Sequence, residues 1–167
     1  MNQHYRNKLM WVLYGLLFLA VMLVQTIVFG KLRFFGVKLS LIPVAIVCIS
    51  LWTGHEAGGL FSLIASFIWY ASGAVDGSLS IITLTVSGIL AGYLCSNLFS
   101  RRFLPALLLC VGALLFHETI LFLFKFYLGA APLKLGLWVP MTVALSALAC
   151  PVIYLLAKAI GKVGGCV

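Results

Sequence analysis

Apolar residues dominate long stretches of this chain, and polar ones punctuate them at short intervals. The apolar runs are Leu9–Phe29, Leu39–Trp52, Gly58–Val75, Leu79–Leu98, Leu104–Leu128 and Pro140 to about Ile160. A transmembrane β-strand alternates apolar and polar residues over about ten positions. These runs do not alternate, and most approach the ~20 residues a helix needs to cross a bilayer. The pattern predicts an all-α bundle of about six transmembrane helices in a single domain, with spans near 9–29, 39–57, 58–75, 79–98, 104–128 and 140–160.

Individual residues refine these boundaries. The first run follows Arg6 and Lys8, exceeds the core length of a signal peptide and lacks a small-x-small cleavage site, so it reads as an uncleaved span. The second run is short and either extends through Thr53–Ala57 or lies partly at the interface. Pro43 opens it. Pro105 and Pro140 stand at helix starts, where a missing N–H costs nothing. Pro151 falls inside the last run and should kink it, freeing the carbonyl four residues earlier. The segment Pro132–Val139, with Lys134 and Trp138, reads as an interfacial loop.

Composition agrees with lipid as the solvent. Of the 167 residues, 64% are hydrophobic and 8% charged, and the mean hydropathy is +1.22. A soluble domain carries about 25% charged residues. The net charge of +8 would suggest nucleic acid in a soluble protein. Here the basic residues occupy short loops with no nucleic-acid motif, so they read as contacts to anionic lipid headgroups and as topology signals. Arg6, Lys8, Arg101, Arg102, Lys158 and Lys162 would fall on one side, and Lys31, Arg33, Lys38, Lys125 and Lys134 on the other. That slight excess, with an even number of spans, favours both termini in the cytoplasm.

Candidate chemistry is sparse. Gly54, Gly58, Ser62 and Ser66 recur every four residues, and Gly88 and Gly92 repeat the device in the next span. Such faces let backbones approach closely, either within the chain or against a partner's helix. Glu118 lies mid-span, where an acid costs on the order of 2.5–3.5 kcal/mol. It should face the bundle interior, as a structural hydrogen-bonding group or as a polar site. Its neighbour His117 points about 100° away, so the two do not pair; Lys125 shares Glu118's face but stands two turns on, too far for direct contact without bending or water. Asp76 suits a tight turn, and His55 and Glu56 a solvated loop. Cys48, Cys95, Cys110 and Cys150 lie in apolar runs without CxxC spacing and read as packing residues; Cys166 is too near the end for a prenylation box. Neither HExxH, nor GxSxG, nor a phosphate-binding loop occurs, so no metal, cofactor or catalytic activity is expected.

From Leu41 to Gly129 the chain resembles MreD, the small integral membrane subunit of the bacterial cell-elongation machinery. The features that carry the resemblance are Pro43, the stretch Gly54-His55-Glu56-Ala57-Gly58-Gly59-Leu60-Phe61, and Trp69-Tyr70-Ala71-Ser72-Gly73. Gly92-Tyr93-Leu94, Ser100-Arg101-Arg102-Phe103-Leu104 and His117-Glu118 complete them. Many relatives place an Asp where Tyr70 stands. The resemblance implies a non-catalytic scaffold in the bacterial cytoplasmic membrane, acting in cell-shape control and peptidoglycan synthesis. Its implied partners are MreC, MreB, RodA and a penicillin-binding transpeptidase. A competing reading is the S-component of an energy-coupling-factor vitamin transporter, a fold similar to MreD in general architecture. On that reading Glu118, His117 and His55 would gather around a vitamin, but few polar side chains are available to recognise one. A channel would need a chain of intramembrane ionisable residues, which one acid and one histidine do not make.

Overall fold

The computed structural model describes residues 3–29, 39–73, 77–97, 103–129, 136 and 139–164. All regular structure among them is helical. In chain order the helices are α1 (Gln3–Val24), which runs on into a π-helical turn over Gln25–Phe29, α2 (Ile42–Thr53), α3 (His55–Ala71), α4 (Leu79–Asn97), α5 (Phe103–Tyr127), α6 (Val139–Ala147) and α7 (Cys150–Gly164). The expected turn at Asp76, the basic loop residues Lys31, Arg33, Lys38, Arg101, Arg102 and Lys134, the interfacial Trp138 and the terminal Cys166 lie outside the described residues.

Among the described residues, three stretches are long and apolar enough to cross a membrane: Lys8–Val28, Leu79–Asn97 and Phe103–Tyr127. The pair α6 and α7, bent by 45° at a short break, passes the same test together and makes a fourth if it is one span. Pro151, the second residue of α7, accounts for that break. Lacking an N–H, it leaves the Ala147 carbonyl without its helical partner, and tight i+3 bonds from Leu148 N to Leu145 O and from Ala149 N to Ser146 O close α6 instead.

The second and third expected spans take another form. Helix α2 has 12 residues, a rise of roughly 18 Å at 1.5 Å per residue, well short of a ~30 Å hydrocarbon layer. It is not interfacial. Every residue from Ile42 to Trp52 is buried, as expected for a helix that is apolar all round and enclosed by others. Pro43 sits in its first turn. Gly54 ends it with φ 85°, a left-handed backbone conformation that suits glycine, and α3 begins at the next residue. Gly54 is therefore the hinge of an α2–α3 hairpin, not a residue of the third span's face. His55 and Glu56 belong to the first turn of α3 and not to a loop. With 17 residues, α3 stands at the short limit for a crossing.

The hairpin folds onto α4. Contacts pair Gly54 and His55 with Gly92, Gly59 with Ile89, Ser62 with Gly88, and Ser66 with Thr85, so α3 and α4 run antiparallel. Helix α2 occupies the centre, touching α1, α3, α4, α5 and α7. Outward faces remain apolar, as at Leu60, Leu63 and Phe67 on α3 and Leu104 and Leu108 on α5. That surface suits lipid.

Candidate functional site

The small residues pack against one another inside the chain. A Cβ placed on Gly58 would stand 2.9 Å from the Ser50 Cα, one on Gly88 2.5 Å from the Ser62 Cβ, and one on Gly92 2.8 Å from the Gly54 carbonyl. Backbones this close exclude any larger side chain, which is how helices hold together where lipid supplies no hydrophobic drive. Ser62 and Ser66 are buried on the same seam. The Ser62 hydroxyl donates to the Gly59 carbonyl at 2.8 Å, and the Ser66 and Thr85 hydroxyls meet at 3.3 Å. Of the two uses open for Gly54, Gly58, Ser62, Ser66, Gly88 and Gly92, these contacts are the intramolecular one. A partner's helix finds that face occupied.

His117 and Glu118 diverge, as their 100° offset requires. His117 is buried against α4, with Nδ1 2.8 Å from the Thr83 hydroxyl. Glu118 turns toward the start of α2, where Ser40 and Lys125 are the polar groups that act on its carboxyl. The two-turn separation thus leaves Lys125 acting through space.

Around Ser40 a polar node forms that the apolar pattern conceals. The chain just before α2 is partly buried, so its backbone amides need partners, and here distant side chains supply them. The Leu41 amide donates to Gln25 Oε1 at 2.9 Å and the Ser40 amide to Ser146 Oγ at 2.9 Å. Gln25 Nε2 in turn donates to the Leu39 carbonyl. Gln25 opens the π-helical turn after α1 and Ser146 lies near the end of α6, so three segments meet here, with Glu118 of α5 facing them. Gln25 was visible in the sequence as a polar residue inside an apolar run; its partners were not.

His55 and Glu56 lie at the surface, 3.8 Å apart between Nε2 and Oε1. The His55 ring meets Tyr93 edge-on at 6.3 Å. His55, His117 and Glu118 do not converge on one pocket: His117 packs on α4, Glu118 at the α2 start, and His55 outside. Tyr70 and Tyr93 are exposed, whereas Pro43 is buried in the central helix. A cavity of ≈ 190 Å³ between α4 and α5 is lined by residues such as Leu90, Leu94, Leu108 and Phe116. Its one polar wall residue, Ser87, donates to the Thr83 carbonyl at 2.7 Å.

Cys48 of α2, Cys110 of α5 and Cys150 at the head of α7 bring their sulfurs within 4.8 Å of one another, with Cys48 and Cys110 at 3.7 Å. All three are free and buried in the apolar core, as packing residues are, and they form one cluster of which Cys95 on α4 is not a member. Comparison with protein-family models, curated proteins and solved structures gives no match to this chain.

Proposed function

We propose that this protein is a non-catalytic membrane scaffold of the MreD type, working by helix-to-helix recognition within the bilayer. The observation that carries the reading is how the interior polar groups are used. Ser62, Ser66, Thr83, His117, Gln25, Ser40 and Ser146 hydrogen-bond to one another or to nearby backbone, and the cavity between α4 and α5 is apolar. A site for a water-soluble vitamin needs several polar groups free to converge on it. An interior organised for internal packing leaves the outward apolar faces as the recognition surface. The sequence resemblance around Pro43, Gly58, Tyr93 and His117-Glu118 supplies the type: a subunit of cell-elongation machinery that positions MreC-like, MreB-like and RodA-like proteins and a penicillin-binding transpeptidase in the bacterial cytoplasmic membrane.

The experiment is purification of the chain from native membranes in mild detergent, with identification of stoichiometric companions. An MreC-like protein or a RodA-like glycosyltransferase is the expected result. A bound vitamin accompanied by paired ATPases would overturn the scaffold in favour of a transporter subunit.

A further inference from the structure

We propose that Cys48, Cys110 and Cys150 form an intramembrane site for a soft monovalent metal ion, copper(I) or its chemical mimic silver(I). Three helices remote in sequence each contribute one sulfur, and all three side chains are fully buried. At a metal–sulfur distance of about 2.3 Å, three sulfurs around one ion stand roughly 4 Å apart. The closest pair already lies at 3.7 Å and all three lie within 4.8 Å, so small side-chain rotations close the ring. Sulfur donors select soft ions, copper(I) and zinc among them.

Coordination number decides between those two. A coordinating cysteine binds as its thiolate, so each ligand releases its thiol proton to solvent as the ion enters. Zinc would require a fourth ligand for its tetrahedron, and the cluster among the described residues has three members, the number that a trigonal monovalent ion takes. Cys150 is the first residue of the 15-residue helix α7, where the helix dipole favours negative charge on the bound sulfur, and it adjoins the α6–α7 break beside the exposed Leu148.

The test is anaerobic titration of the full-length protein, reduced and in detergent, with copper(I) against a chromophoric copper(I) chelator, repeated with silver(I). One equivalent should bind, and X-ray absorption on the loaded protein should show three sulfur neighbours at about 2.3 Å. Replacement of Cys48, Cys110 or Cys150 by Ser should weaken binding by at least about 100-fold, beyond the usual effect of losing a supporting residue around a metal. Cys95→Ser should leave it intact. Detergent elution volume and thermal unfolding identify any variant that fails to fold, and the X-ray measurement on the unaltered protein stands without variants. Failure of that protein to compete with the chelator would overturn the proposal, as would equal binding by the triple Ser variant or cysteine-dependent binding of zinc(II) alone. Denatured reduced-purified protein should show all five thiols; three would mean that a disulfide has formed, and that too would overturn it.

Discussion

At the scale of single residues, the closeness of two backbones predicts which glycines matter. Gly88→Ala puts a methyl carbon 2.5 Å from the Ser62 Cβ and 3.2 Å from the Ile46 side chain. Overpacking of this kind costs about 1–3 kcal/mol, measurable as a lowered unfolding midpoint in detergent. Gly15→Ala meets open space and should leave that midpoint unchanged. Hydrogen bonding separates two α4 residues in the same way. Thr83→Val strands His117 Nδ1 and should destabilise by roughly 0.6–1.7 kcal/mol, the range for interhelical bonds in membranes. The buried Ser80 hydroxyl has no hydrogen-bond partner among the described residues, so Ser80→Ala should hold or raise stability, an unsatisfied group costing about 1–3 kcal/mol. A marked loss in Ser80→Ala, or none in Thr83→Val, would show that these hydroxyls are used differently.

At the scale of elements, α2 is the unusual one. It is too short to span, yet every residue from Ile42 to Trp52 is buried, and the Ser40 and Leu41 amides just before it are bound by Ser146 and Gln25. Its amides should therefore exchange with deuterium as slowly as any in the molecule, and Gln25→Leu, which removes both bonds at its start, should speed exchange there before any other helix responds. The four-residue spacing of Gly58, Ser62 and Ser66 made the α3 seam legible in the sequence, because a helix turns almost one full circle in that interval. Pro151 made the break before α7 legible for an equally local reason. The central place of α2 was not legible. A run of Ile, Val, Ala and Cys has no polar face to report which side is inside, so only its shortness stood out. Nor could the polar node be read, since the partners of Leu41 and Ser40 lie 16 and 106 residues away along the chain. The cysteine cluster escaped for the same reason: spacing rules detect ligands on one element, and these sulfurs come from three.

At the scale of the whole molecule, the protein is a helical bundle with α2 at its centre and apolar outer faces free to meet lipid or neighbouring helices. Fold class was the most legible feature, because the scarcity of charge and the length of the apolar runs constrain the solvent before any packing is known. The most direct test places nitroxide labels at single introduced cysteines, in a background with the native cysteines replaced by Ser or Ala, and measures in bilayers their access to oxygen, which dissolves in lipid, and to a water-soluble nickel chelate. Labels at Leu63, Leu108 and Leu155, all exposed on the structure, should be open to oxygen and closed to the chelate. A label replacing Ile46, fully enclosed in α2, should be shielded from both. Chelate access at Leu63 and Leu108, or oxygen access at Ile46 equal to that at Leu63, would contradict the buried central helix and the lipid-facing surface together.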